Sequence, residues 1–127
     1  MNPMKRWKRN ATSEAHFTLE LIRGRWKLYI LLELWLGPRR TGELVRALPG
    51  IAKNRLNENL RDLERTGFTR RKIYAGRVPR VEHELTPLGA SLCPVVAALH
   101  EWGARNKSEV QKIKASRSDA IALRRRG

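Results

Sequence analysis

Residues 51–67 read Ile51-Ala-Lys-Asn-Arg-Leu-Asn-Glu-Asn-Leu-Arg-Asp-Leu-Glu-Arg-Thr-Gly67. They run straight into 68–85, Phe68-Thr-Arg-Arg-Lys-Ile-Tyr-Ala-Gly-Arg-Val-Pro-Arg-Val-Glu-His-Glu-Leu85. At about 100° per residue, Leu56, Leu60 and Leu63 share a narrow arc, while Asn54, Glu58, Arg61 and Arg65 fall opposite, with Asn57 on the flank. That spacing predicts an amphipathic helix over Ala52–Thr66, closed by Gly67 just past its C-cap. The second segment reads as two strands, Phe68–Tyr74 and Arg80–Leu85, around a tip at Ala75–Pro79. By the period of two, Arg71 and Ile73 lie on one face of the first strand, and Arg70, Lys72 and Tyr74 on the other.

The elements on either side complete the pattern. Upstream, Thr41 reads as the N-cap of a short helix, Gly42–Leu48, and Pro49-Gly50 as a turn. Before that, Trp26–Leu36 is apolar on nearly every face and is expected to be the buried hub of the core, ending at Gly37-Pro38. A first helix capped by Thr12 or Ser13 runs to about Ile22, with Phe17, Leu21 and Trp26 on one side, and breaks at Arg23-Gly24. Downstream, Thr86 caps a final helix, Leu88–Ala104, with an apolar stripe of Leu88, Leu92, Val95, Val96, Leu99 and Trp102. Two short helices about a tight turn, the second more polar and followed by a basic ribbon, make a winged helix-turn-helix. The expected fold class is mainly α with a small β-hairpin wing (α+β). The expected organisation is a disordered basic arm over 1–12, the winged domain with terminal dimerisation helices over 13–104, and a basic tail over 105–127. A last helix from Ser108 to about Ala122 is one reading of that tail.

Composition bears on the partner. In 127 residues there are 27 Lys+Arg against 12 Asp+Glu, a formal net charge of +15. The excess sits in residues 1–9, in 53–80 and in 105–127, while the rest is near neutral. Basicity gathered in the helix–ribbon segment and both ends points to a polyanion held at a defined site rather than to evenly solvated charge. Cys93 is the one cysteine, so no intrachain disulfide can form, and a reducing, cytoplasmic setting is expected. Met1–Asn10 lacks the pattern of a secretory signal, and the apolar run Leu28–Leu36 is too short to span a bilayer, so no membrane role is expected.

A helix of this shape fits the DNA major groove, where Asn pairs with adenine and Arg with guanine edges or phosphate. The candidate DNA-binding residues are Arg40, Lys53, Asn54, Arg55, Asn57 and Arg61, joined by Arg70, Arg71, Arg77 and Arg80 of the ribbon. Arg77 at the tip is placed to reach phosphate or the minor groove. A surface helix with a solvated charged face and a hairpin that guards its edges with charge would share parts of this pattern. The candidate dimer interface is Phe17, Leu21, Leu92, Val95, Val96, Leu99 and Trp102, because the final helix carries more apolar face than a small domain needs for itself. Catalysis finds no support. His16, His83 and His100 are scattered, no zinc spacing or glycine-rich phosphate loop is present, and Glu82 and Glu84 read as local charge balance beside Arg80. No catalytic residue, metal or cofactor is expected, and the sequence names no small-molecule effector.

These residues resemble the HxlR-type, MarR-like winged-helix transcriptional regulators from about Ser13 to Ala104. The marks are Ile22-Arg-Gly-Arg-Trp26, Leu36-Gly-Pro-Arg-Arg40, Gly42-Glu-Leu44, Leu48-Pro-Gly-Ile51, the spaced Leu56, Leu60 and Leu63 ending at Gly67, Pro79-Arg-Val-Glu82, Leu85-Thr-Pro-Leu-Gly89 and Trp102. The resemblance implies a homodimer, built through the first and last helices, that binds inverted-repeat operators on double-stranded DNA. A non-specific nucleic-acid-binding or architectural protein is the alternative, favoured by the basic tails. Several positions depart from the family pattern. Ser13-Glu14 stands where many relatives carry a Cys-Pro pair whose thiol senses electrophiles or oxidants. Thr41 replaces an aromatic, Ala52 a helix-opening Ser or Thr, and His83 a Tyr.

Overall fold

The structure is a computed structural model and describes residues 14–126. The expected arm at 1–12, and Thr12 and Ser13 as caps, lie outside the described residues. Among the described residues there are six helices and one hairpin. In chain order these are α1 (Glu14–Leu21), α2 (Lys27–Trp35), α3 (Thr41–Ala47), α4 (Lys53–Arg65), β1 (Thr69–Tyr74), β2 (Arg80–Leu85), α5 (Pro87–Arg105) and α6 (Lys107–Arg126). The chain divides into two compact units, 1–93 and 94–127.

In the first unit, α2 packs against α3, α4 and β2. Ile30, Leu31 and Leu34 point into this core, which Leu44, Leu48, Ile51, Leu56, Leu60, Leu63 and Phe68 complete. The expectation that α2 is buried all round is corrected: Tyr29, Trp35 and Leu36 are exposed. The described neighbours of α2 cover only part of its surface, and an all-round apolar sequence has more hydrophobic area than they can enclose.

Helix α4 ends as its sequence predicts. Gly67 adopts φ +81°, the left-handed region a side chain disfavours. Gly67 N–H then donates to Glu64 O at 3.0 Å and Phe68 N–H to Leu63 O at 2.9 Å, the paired bonds of a Schellman C-cap. The chain is thereby turned directly into β1. β1 and β2 pair antiparallel from Thr69↔Leu85 to Tyr74↔Arg80, so the expected hairpin and its tip stand. The hairpin also has a neighbour that sequence periodicity gives no sign of. Arg39 N–H donates to His83 O at 3.0 Å and His83 N–H to Arg39 O at 2.8 Å, a one-residue bridge just before α3.

Two helix starts differ in outcome. Thr86 caps α5 as expected, its hydroxyl accepting the Gly89 N–H at 3.2 Å and donating to Gly67 O. Thr41 is not the cap of α3. It is the first helical residue, and the N-cap is Arg40, whose backbone N–H donates to Glu43 Oε1 at 2.9 Å. The Thr41 hydroxyl is committed elsewhere, 3.0 Å from His83 Nε2. Gly89 in the first turn of α5 is a close-approach glycine, because a Cβ there would run into the backbone carbonyl of Phe68.

Pro94 lies inside α5, at the division between the two units. A proline there removes one i→i−4 hydrogen bond from the helix. Beyond it, Val95, Leu99 and Trp102 are exposed and Val96 is buried. Helix α6 runs 20 residues, longer at both ends than the Ser108–Ala122 expected, and leaves Ile113, Ile121 and Leu123 exposed.

Candidate nucleic-acid interface

Helix α4 sits with Leu56, Leu60 and Leu63 buried and its opposite arc in solvent. Lys53, Asn54, Glu58, Arg61 and Arg65 are exposed, and Asn57, on the flank of that arc, is half-buried. Ala52 at the N-cap offers no side-chain hydrogen bond, so the first amides of α4 are left without an intrachain side-chain cap. Lys53 and Asn54 stand in that first turn.

The cations of this surface fall into two groups. Arg55 reaches Glu58 at 3.5 Å and Arg65 reaches Asp62 at 2.9 Å, both within α4. On the hairpin, Arg70 Nε lies 2.8 Å from Glu84 Oε1, Arg80 Nε 3.4 Å from Glu82 Oε1, and Arg71 Nε 3.3 Å from Glu64 Oε1 on α4. Glu82 and Glu84 thus balance local charge, as the sequence suggests. The two pairs within α4 are exposed on both sides and hold their partners weakly. On the hairpin the glutamates are partly buried and the guanidinium ends stay in solvent, where a phosphate can also accept from them. Lys53, Arg61 and Arg77 make no ion pair among the described residues. Arg77 stands exposed at the hairpin tip between Gly76 and Val78, and Val78 is 83% exposed. Arg40 and Arg80 line an open groove at the tip end of the hairpin together with Tyr74, Ala75, Val78 and Pro79, and the Arg80 guanidinium stacks over the Tyr74 ring at 4.5 Å.

His83 anchors the hairpin to the helices. It is 5% exposed; its Nε2 meets Thr41 Oγ1, and its Nδ1, which has no hydrogen-bond partner, lies 3.9 Å from Glu64 Oε1. Burial pushes its pKa below the ordinary histidine value; Glu64 opposes that shift and Arg71 adds to it. With the proton on Nδ1, the ring turns its N–H toward Glu64 and leaves Nε2 to accept from Thr41. In the sequence His83 is one of three scattered histidines and a departure from the family pattern; its contacts on both α3 and α4 emerge only in the fold.

The expected interface residues separate in the same way. Phe17 on α1 is 65% exposed, and Leu21 and Leu92 are half-buried. Val96 differs from the rest of that set in being buried in the described chain.

The HxlR-like helix-turn-helix family model matches residues 21–111. The chain belongs to the HxlR-like helix-turn-helix family. Its relatives include the HTH-type transcriptional regulator YkvN of Bacillus subtilis, 44% identical over 86 residues, 68% of this chain and 73% of that protein. YtcD of the same organism is 41% identical over 107 residues, 84% of this chain and 83% of that protein. Among solved structures, the redox regulator HypR in its reduced form aligns with a TM-score of 0.74 and 35% identity, covering 79% of this chain and 99% of that one. The chain is therefore a DNA-binding transcriptional regulator with a MarR-like winged helix-turn-helix, and its family is not an enzyme class. No helix among the described residues is long and apolar enough to cross a membrane.

Proposed function

We propose that this regulator binds an inverted-repeat operator as a homodimer, with α4 in the major groove and the hairpin on flanking DNA. The observation that carries the reading is the exposed arc Asn54, Arg61 and Arg65, with Asn57 at its edge, beside a hairpin that presents Arg70, Arg71, Arg77 and Arg80. Amide and guanidinium groups on one helix face read base edges, while arginines on a ribbon hold phosphates without regard to sequence. Lys53, Arg55 and Arg40 supply further backbone contacts near the start of α4 and α3. The dimer is assigned to Phe17 and Leu21 of α1 and to Leu92, Val95, Leu99 and Trp102 of α5. The exposed apolar surface of Phe17, Val95, Leu99 and Trp102 and the two-fold symmetry of paired half-sites support it. The basic segments 1–12 and 105–127 act as auxiliary arms.

The redox regulation for which HypR is named is not carried over, because Ser13 stands where the family resemblance places the sensing thiol. The test is a mobility shift on genomic fragments selected by the protein, in the presence of excess random duplex. An operator-binding regulator keeps one site against that competitor. Uniform loss of every complex would instead support the architectural alternative that the basic ends favour.

A further inference from the structure

Helix α4 has a second basic neighbour besides the hairpin. The loop between α1 and α2 brings Arg23, Arg25 and Lys27 against Arg55, Asn59 and Asp62 of α4, forming an open groove. Two of its cations are already neutralised: Lys27 Nζ lies 3.6 Å from Asp62 Oδ2, and Arg55 pairs with Glu58. Arg23 pairs loosely with Glu20 at 3.6 Å, its side chain 78% exposed. Arg25 makes no ion pair among the described residues. Its guanidinium lies 4.6 Å from the centre of the Trp26 ring, and the residue is exposed.

The position of this loop around α4 matters as much as its charge. Glu64 marks the hairpin side of α4 through Arg71 and His83. Asp62 marks the loop side through Lys27. Two residues apart on a helix, these directions stand about 160° from each other, and the arc between them holds Asn54, Glu58, Arg61 and Arg65. A helix seated in the major groove, roughly 12 Å wide, has one phosphate backbone on either side.

We infer that the Arg23–Lys27 loop is a second phosphate clamp, in which Arg25 with Arg23 grips the DNA backbone on the side of the major groove opposite the wing. This rests on the operator-binding reading. The recognition helix is then held between two basic arms, and its register is set from both strands rather than from the wing alone.

The experiment measures the salt dependence of duplex binding for wild type, Arg23→Ala/Arg25→Ala, Arg25→Lys and Arg77→Ala, with phosphate-ethylation interference mapped on the wild-type complex. Each lost phosphate contact lowers the slope of log K against log [salt] by roughly 0.9, so the double variant should lose about two units. Arg25→Lys should keep the wild-type slope. Interference should appear on both backbones that flank the contacted major groove. A wild-type slope in the double variant, with Arg77→Ala lowered, would overturn the clamp and leave operator binding intact. So would an Arg25→Lys variant whose slope falls as far as that of the double variant, since the effect would then not follow the charge. A wild type with no salt-dependent duplex binding would overturn the operator reading, and the clamp with it.

Discussion

The Thr41 hydroxyl stands 3.0 Å from His83 Nε2, and both residues occupy positions where the family pattern leads one to expect an aromatic and a Tyr. The two departures meet in space, 42 positions apart in sequence. They tie the start of α3 to β2, while Nδ1 of the same ring faces Glu64 near the end of α4. One buried imidazole therefore holds both helices of the helix-turn-helix to the wing.

That histidine makes stability depend on pH. Burial lowers its folded pKa below the unfolded value near 6.5, so the unfolded chain binds the proton more readily. The contribution of neutral His83 is fully present above that unfolded value and is lost as pH falls through the folded one. Wild type is expected to lose melting temperature between neutral and mildly acidic pH by more than His83→Gln does. Parallel curves for the two proteins over that range would show that His83 does not titrate as argued.

Gly89 offers a sharper packing test. Its Cα passes so close to the Phe68 carbonyl that a Cβ would meet backbone atoms, which cannot move aside as a side chain can. Gly89→Ala is expected to cost about 1–3 kcal/mol, seen as a lowered denaturation midpoint with an unchanged slope. A midpoint equal to wild type would mean that the start of α5 can shift freely from Phe68.

Much of this architecture is legible in the chain, and the exceptions have physical causes. Leu56, Leu60 and Leu63 fix α4 because a buried arc must repeat at the helical period, and Gly67 fixes its end because few other residues take a positive φ. The Arg39–His83 bridge is not legible, since one pair of backbone hydrogen bonds leaves no periodic trace. Thr41 misleads for a related reason. A threonine before an apolar run is a good cap, and only the fold shows that its hydroxyl goes to His83. At the candidate interface, composition finds the arginines but not their partners. That Arg70, Arg71 and Arg80 face glutamates while Arg77 does not depends on cross-strand register and on the placement of α4.

That distinction orders the wing. Arg77→Ala is expected to weaken operator and random duplex alike and to flatten the salt slope by about one unit. Asn57→Ala should instead relax base preference, costing roughly 1–3 kcal/mol on the best site with little change on random DNA. Equal losses on both kinds of DNA for both variants would undo the division of labour.

For assembly, Val95 and Leu99 are the informative positions, because both are exposed in the single chain while Val96 is not. Val95→Asp/Leu99→Asp is expected to give monomers with poor operator affinity, since an unpaired charge is costly in a closed apolar interface. Light scattering at micromolar concentration reads the outcome, and a wild type that is itself a stable monomer would reject the proposed dimer.

Oxidant sensing is the last expectation, and it is negative. Ser13 cannot form a disulfide, which leaves Cys93 as the only thiol. Cys93 is fully buried, and burial pushes its pKa up from the ordinary thiol range. Its Sγ lies 3.4 Å from Gly89 O and 3.6 Å from Leu31 O, so the protonated thiol donates toward carbonyls that a thiolate would face as bare negative dipoles. Each of these features disfavours the thiolate, the species that reacts with disulfides and electrophiles. Operator binding by wild type and by Cys93→Ser is therefore expected to respond identically to diamide or a quinone. Release of wild type from DNA by oxidant, with Cys93→Ser still bound, would make Cys93 a switch despite its burial. That result would also require the start of α5 to open, because the sulfur has no exposed surface in the folded chain.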